Sequence, residues 1–367
     1  MATSADYKLG EFAFPRGWFV VADAADITSK PMSVRFFGQD VVIYRGDSGA
    51  VAMLEAYCPH MGTHLGRSTQ SYTVTSGHHV EGDSIRCPFH GWRYGPDGKC
   101  NEIPYFDGPI PRLAKVRSWL VQERWGIVFC WNDPEGLEPD FELPDIPEWD
   151  DPTWMRWMGL DHLADLPCHP IEIFDNNSDA AHLQYLHGGQ VRLYENEVDG
   201  HFYRQRESLA ASASAYSASP FEATDDEVRI ATINSYVGPG VNFATFTGLN
   251  AREIIATTPI DDGVSRLWQC AMVKRPDGLS DEQAHDLLEN VNEAFSHGLG
   301  NQDGEVWAHK RPATTVMQMP TDGPFMVGRT WYRQFFNPRA QAAGIVAPVT
   351  GIHYVDGIPA FADKALT

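Results

Sequence analysis

The chain has 367 residues, 43% of them hydrophobic and 12% aromatic, which excludes a disordered chain and exceeds what one hydrophobic core usually organises, so two folded domains are expected. A formal net charge of −21 excludes a nucleic-acid backbone as partner, because phosphate binding draws on clustered Lys and Arg; it reads as solubility, or as a surface for a partner with a basic patch. No apolar run reaches the roughly 18 residues of a membrane span, and the opening residues 1–6 lack a basic segment followed by an apolar one, so a soluble, cytoplasmic protein is expected.

From Trp18 to Trp131 the chain alternates short apolar runs with turns: Trp18 to Val21, Ser33 to Phe37, Val41 to Tyr44, Ala52 to Glu55 and Gly126 to Trp131. These are strand signals and predict a β-rich domain. Between them stand Cys58-Pro59-His60 and Cys87-Pro88-Phe89-His90-Gly91-Trp92. Two loops that each offer one thiolate and one imidazole make a four-ligand set. Tetrahedral zinc accepts two Cys and two His, but its usual fingers pair like with like at each end. In a Rieske [2Fe–2S] centre two Cys hold one iron and two His the other, so each loop gives one residue to each iron, which is the pattern here. Imidazole in place of two thiolates raises the potential of such a cluster and suits it to relay electrons. His64 on the first loop reads as a surface or supporting residue, and His78 and His79 as exposed polar loop. The remaining cysteines, 100, 130, 168 and 270, are too scattered for a disulfide framework.

A stretch rich in Pro and acidic residues, 133–152, reads as an extended connector, and places the domain boundary near 150: residues 1–150 (core about 18–131) and 151–367. The second domain is expected to be mixed α and β. It opens with a helix over roughly 170 to 187, followed by strand-like runs at Val228 to Ile233, Asn242 to Thr247, Glu253 to Thr258 and Ser265 to Val273. Ser280-Asp281-Glu282-Gln283 has the capping-box form, and Leu287, Leu288, Val291, Ala294 and Phe295 follow at helical spacing. That helix is expected to run to about His297 and stop at Gly298 with a left-handed cap.

The first of these helices carries Asp179, His182 and His187. Asp179 and His182, three apart, share a helical face, whereas His182 and His187, five apart, converge only with a break or distortion near Gly188-Gly189. Two histidines need one carboxylate from elsewhere to form the facial triad that binds Fe(II) and leaves positions open for O2. Asp303 is the best candidate, with Asp281 and Glu305 as nearby acids. Alone, a pair of helical histidines also reads as surface or core filling; beside a Rieske site it reads as iron. The segments 236–243 and 246–249, including Tyr236, Asn242 and Phe243, are apolar with few charges, which fits either a pocket for a bulky hydrophobic molecule or an ordinary core strand. No G-x-G-x-x-G fingerprint, P-loop or ferredoxin-type cysteine cluster is present, so any reductase is a separate protein.

These motifs resemble the Rieske non-heme iron oxygenases, in particular the bacterial 3-ketosteroid 9α-hydroxylase oxygenase group. Most of the chain carries the resemblance: Pro15-Arg16-Gly17-Trp18, the two cluster motifs, Gly98-Lys99-Cys100 before Ile103-Pro104-Tyr105, Asn176 followed by Asp179, His182 and His187, Asp303-Gly304-Glu305-Val306-Trp307, and Trp331 to Phe336. The resemblance implies an α+β protein with an N-terminal Rieske domain and a C-terminal catalytic domain, a curved antiparallel sheet covered by helices in the helix-grip manner. It implies a homotrimer in which Asp179 bridges a cluster histidine of one subunit to an iron histidine of the next. It also implies a [2Fe–2S] cluster on Cys58, His60, Cys87 and His90, and a mononuclear iron on His182, His187 and Asp303. A reductase or ferredoxin would bring electrons from NAD(P)H to the cluster, and O2 at the iron would place one oxygen atom in a C–H bond and release the other as water. Asn176, Tyr236, Asn242, Phe243 and Trp307 are further candidates around the site. The substrate expected is a steroid or other polycyclic ring; alternatives are an O- or N-demethylase or aromatic-ring dioxygenase on a smaller molecule, a non-catalytic electron carrier, or a zinc-stabilised binding module. About ten residues around Ser68 to His79 exceed the family's usual spacing and read as a surface insertion, or as a reshaped docking surface.

Overall fold

The computed structural model describes residues 1–75, 77–157, 159–211 and 228–361. The chain forms two compact units, Phe19–Asn132 and Met1–Trp18 with Asp133–Thr367. The division therefore falls at 132 rather than near 150, and the first eighteen residues go with the second unit. The connector is held there by its own side chains. Phe141 stacks on His201 at 4.6 Å between centroids and meets Phe335 edge-on. Trp18 Nε1 donates to the Phe141 carbonyl at 3.0 Å. Arg339 donates to Asp133 and to the Glu138 carbonyl, both at 2.7 Å. The acidic, Pro-rich composition thus makes an anchored strap rather than a free linker.

In the first unit, strands β1 (Gly17–Asp23), β2 (Met32–Phe36), β3 (Gln39–Arg45) and β4 (Val51–Glu55) follow the alternation read from the sequence. Between them and β9 (Ser118–Arg124) and β10 (Ile127–Asn132) come four short strands, β5 (Val80–Glu81), β6 (Ser84–Arg86), β7 (Arg93–Tyr94) and β8 (Cys100–Glu102). The long strands pair in the order β1-β10-β9-β4-β3-β2, and the short ones in chain order. Two or three residues give no legible period, so the smaller sheet has no sequence signal. Val42, Tyr44, Ala52 and Leu54, alternate residues of β3 and β4, form one core cluster with Cys58, Ile85, Cys87 and Tyr94. The insertion carries a bridge between Gln70 and Thr75 and buries Val74. It also buries His79, which is 1% exposed, contrary to the exposed loop expected; His78 is exposed as expected.

The second unit is built on an antiparallel sheet of β11 (Trp154–Met155), β12 (Asp161–Leu166), β13 (Gln190–Asp199), β14 (Phe202–Ala211), β15 (Val228–Val237), β16 (Val241–Phe246), β17 (Ala251–Asp261), β18 (Val264–Lys274) and β19 (Gly351–Tyr354). Its order is β11-β18-β17-β16-β15-β14-β13-β19, with β12 paired to β18. Helix α3 (Asp281–Ser296) lies on this sheet, with Leu288 and Val291 against Ala251, Ala271 and Val273. Among the described residues, no helix is long and apolar enough to cross a membrane.

Two helical expectations change. The helix expected over 170 to 187 is broken into α1 (Pro170–Phe174), a 3₁₀ turn Asp175–Ser178 and α2 (Ala181–Tyr185). Asp179 leaves helical space at φ −111°, ψ 104°, and its Oδ1 accepts from the backbone N–H of Ala181 (2.9 Å) and His182 (3.1 Å), so a new helix starts beneath it. Helix α3 begins at the expected capping box but does not end at Gly298. The chain continues through a π-helical segment His297–Asp303 into α4 (Gly304–His309). Glycine permits a left-handed cap without compelling one, and here continuing buries Asp303 and Trp307 and packs Leu299 on Leu166 and Leu267.

His169 caps α1: its Nδ1 accepts from Ile171 N at 3.1 Å, and its Nε2 meets Ser4 Oγ at 3.0 Å. Burial, helped by the Arg329 charge, pushes its pKa down to about 3. The unfolded chain takes up this proton near the ordinary histidine value of about 6.5 and the folded chain does not, so stability is complete above that pH and is lost as pH falls, by up to about 1.4 kcal/mol per unit. Melting curves of the parent from pH 7.5 to 5 should therefore fall more steeply than those of His169→Asn, which keeps a cap acceptor; parallel curves would reject this assignment.

Candidate metal centres and active site

The two Cys-His loops are built alike. Gly62 N–H donates to the Cys58 carbonyl at 2.8 Å and Gly91 N–H to the Cys87 carbonyl at 3.1 Å, each glycine at positive φ, 72° and 74°. A Cβ at Gly91 would also stand 3.0 Å from Pro104. Glycine is thus required to close both loops. Arg86 Nη1 donates to the Gly91 carbonyl at 2.7 Å and pairs with Glu81 and Glu102, fixing the second loop to the small sheet.

Cys58 and Cys87 are buried and free, while His60 is exposed and His90 half-buried, their rings 4.7 Å apart. The two thiols are buried and the two imidazoles lie nearer the surface, so Cys58 and Cys87 could hold one iron of a cluster and His60 and His90 the other. The adjoining Cys87 thiol holds Cys58 down to about 6, and the same contact with burial pushes Cys87 up. Tyr94 Oη lies 3.0 Å from Cys58 Sγ, and Trp92 stacks on His60 at 4.5 Å. Among the described residues, no three of these four side chains bring their donor atoms within 4.8 Å of one another. A tetrahedral zinc ion would need donor separations of about 3.3–3.8 Å, which no three of these four side chains meet. His64 turns elsewhere: its Nδ1 accepts from Gly66 N at 3.1 Å.

In the second unit, one donor atom from each of His182, His187 and Asp303 lies within 4.8 Å of the others. The two imidazoles converge because α2 ends in a wide turn: His187 N–H reaches the His182 carbonyl at 3.4 Å, Gly189 N–H the Leu183 carbonyl at 3.0 Å, and Gly188 has φ 76°. Asp303 arrives from the last residue of the π-helical segment, a device that rotates a side chain out of α-helical register and is frequent at functional sites. Asp281 stands in the first turn of α3, accepting from Arg275 at 2.8 Å, and Glu305 is exposed, so neither joins the set.

Each donor is held from behind. His182 Nδ1 donates to the Asp179 carbonyl at 2.7 Å, His187 Nδ1 to Gln302 Oε1 at 2.8 Å, and Asn176 Nδ2 to Asp303 Oδ1 at 2.9 Å. These bonds leave Nε2 of both rings free to face Asp303, whose Oδ2 is 3.3 Å from His187 Nε2. Burial holds His182 below the ordinary histidine range; at His187 burial is opposed and outweighed by Asp303, which raises it. Gln302 was not singled out in the sequence. Its signal is its place beside Asp303, legible only once the helix is known to continue past Gly298.

The triad opens onto a cavity of about 410 Å³. Ile173, Leu183, Phe246, Ile255, Leu299 and Trp307 form much of its wall. Asn176, Tyr236, Asn242 and Trp307 line it as candidates, but Phe243 does not: on β16 residues 242, 244 and 246 share one face and 243 the other. The sheet floor also bears polar residues on β14, β15 and β17, namely Gln205, Glu207, Asn234 and Glu253. Burial pushes Glu207 and Glu253 each up to about 8. Of the segments 236–243 and 246–249, read as pocket or core strand, Tyr236, Asn242, Phe246 and Leu249 line the cavity; the polar groups Gln205, Glu207, Asn234 and Glu253 were not singled out.

The Rieske [2Fe-2S] domain family matches residues 17–119, and the 3-Ketosteroid 9alpha-hydroxylase C-terminal domain family matches residues 130–336. A probable 3-ketosteroid-9-alpha-monooxygenase, oxygenase component, of Rhodococcus rhodochrous is 34% identical over 88% of this chain and 80% of its own length. The 3-ketosteroid-9-alpha-monooxygenase oxygenase component of Mycolicibacterium smegmatis is 32% identical over 88% and 82%. Among solved structures, Pseudomonas putida CBB5 NdmB superposes with a TM-score of 0.65 at 18% identity, over 92% of this chain and 95% of that one; at that identity it speaks for the fold, the curled antiparallel sheet included. Two family matches in tandem and relatives at this identity along most of the chain place it: the protein belongs to the Rieske oxygenases, in the 3-ketosteroid 9α-hydroxylase group, as an oxygenase component.

Proposed function

We propose that this chain hydroxylates a bulky hydrophobic, steroid-like molecule, with a [2Fe–2S] cluster on Cys58, His60, Cys87 and His90 and a mononuclear iron on His182, His187 and Asp303. The observation that carries the reading is the convergence of two imidazoles and one carboxylate on the wall of a largely apolar cavity. Two neutral rings and one carboxylate are the donor set that suits Fe(II) while leaving coordination positions on the cavity side. When bound, the cluster and the iron supply the electrons and the O2 activation that side chains cannot. The chain's own groups do the rest: Asp179, Gln302 and Asn176 orient the donors, and Leu183, Phe246, Leu299 and Trp307 exclude water and hold the substrate.

The relatives are named for 3-ketosteroids, and a cavity of about 410 Å³ favours a ring system of that kind over the small substrates of a demethylase or ring dioxygenase. Electrons would come from NAD(P)H through a separate reductase or ferredoxin. The assembly we propose is a homotrimer in which Asp179 links one subunit's cluster to the next subunit's iron. The test is turnover: the metal-loaded protein, a class-matched reductase, NADH and O2 should convert a steroid to a product heavier by one oxygen atom, labelled from ¹⁸O₂. Reductant consumption with no oxygenated product from any steroid or polycyclic substrate would reject the substrate class.

Gln302 gives an independent check on the iron site. Gln302→Ala removes the partner of His187 Nδ1 and should weaken Fe(II) binding about 10–100-fold, read by competition with a chelator. Unchanged retention would mean that Gln302 does not orient the ring.

A further inference from the structure

The polar groups on the cavity floor form a directed chain that ends on unpaired acceptors. Gln205 Nε2 donates to Glu207 Oε2 at 2.9 Å, Asn234 Nδ2 to Gln205 Oε1 at 2.9 Å, and Asn242 Nδ2 to Asn234 Oδ1 at 3.4 Å. Because each amide spends its N–H on the one before, the carbonyl end of Asn242 is the end left over. Asn242 Oδ1 is buried without a partner, and so is Glu253 Oε1, in residues only 2% and 5% exposed that both line the cavity. The strand register places them together. Gln205, Asn234, Ala244 and Glu253 are successive cross-strand partners, and Asn242 is two residues along β16 from Ala244 on the same face.

A buried acceptor without a donor is costly, so these two oxygens call for a donor from outside the chain. We propose that Asn242 Oδ1 and the Glu253 carboxyl recognise a neutral hydroxyl group of the substrate, so that this chain selects a hydroxylated hydrophobic ring system over the corresponding ketone. The inference rests on the cavity being the substrate site. A hydroxyl donates its one proton to Asn242 Oδ1 and accepts from the Glu253 carboxyl when that acid is protonated. A ketone cannot donate, and leaves Asn242 Oδ1 unpaired. A plain hydrocarbon leaves both unpaired. An ammonium group would bring a full charge into a wall shared with Phe246, Leu249 and Ile255.

The experiment is equilibrium binding, without turnover, to the metal-loaded full chain held anaerobically, followed by calorimetry. The probes are tetracyclic steroids carrying a hydroxyl, ketone, ammonium or hydrogen at one end of the ring system, in two sets, for ring A and for ring D. In one of the sets the alcohol should bind about tenfold more tightly than the ketone. Asn242→Leu should bring alcohol and ketone within about twofold, Glu253→Leu should reduce the preference, and Glu253→Gln, which keeps a donor, should retain it. Equal binding of alcohol and ketone in both sets, tightest binding of the ammonium compound, or a preference that survives both leucine variants would each overturn the proposal while leaving the steroid reading standing. Failure of every steroid to bind would overturn that reading and this proposal with it.

Discussion

His182→Ala/His187→Ala should purify with about two irons per chain where the parent holds about three, and with an unchanged cluster spectrum. The two sites are expected to separate cleanly because their donors come from different units of the chain, the cluster set from loops within Phe19–Asn132 and the triad from residues beyond 133. Removing both imidazoles leaves Asp303 with Asn176 as its partner and no nitrogen donor in the set, too little to retain an ion. Turnover should vanish while the cluster still accepts electrons from dithionite. The half of the experiment that can fail is the parent. Two irons in both proteins after Fe(II) is supplied would leave an electron carrier and remove the oxygenase chemistry proposed for the cavity.

How far the sequence could be read follows from what each feature depends on. The two Cys-His loops were legible because their pattern is local: Cys, Pro, His and Gly within five residues set both the candidate donors and the turn. The strands β1 to β4 and β15 to β18 were legible because their alternation is set by one buried face. β13 and β14 escaped because their buried positions include Asn196, Gln205 and Glu207, and Arg206 pairs with Glu195 and Glu197 across the strands, so the pattern of polar and apolar residues no longer tracks burial. The same cause hid Gln205 and Glu207 on the cavity floor. Asp303 was named through motif and neighbourhood, but the reason it reaches the histidines was not, since the π-helical turn across Gly298 and Gly300 is held by the packing of Trp307 and the hydrogen bond of Asn176 to Asp303 rather than by any local propensity. Asn176 appeared as a motif residue, and only the structure supplies its role, a hydrogen bond to a residue 127 positions away.

Asp179 is the position at which two readings of one side chain make opposite predictions. In the chain itself its Oδ1 caps α2 through the N–H groups of Ala181 and His182, and its carbonyl accepts from His182 Nδ1. The proposed link between subunits instead needs its charge. Asp179→Asn keeps an oxygen for both cap bonds and leaves the backbone carbonyl in place, so iron content, cluster spectrum and substrate affinity should stay at parent values while turnover falls at least about 10–100-fold. Asp179→Ala removes the cap as well and should cost about 1 kcal/mol of stability together with some iron, because the helix carrying His182 loses its start. Single-turnover measurements on the pre-reduced protein separate the two roles, since they read transfer from cluster to iron without the reductase. A normal rate in the asparagine variant, with iron lost only in the alanine variant, would make Asp179 a capping residue and leave the route between the metals to other groups.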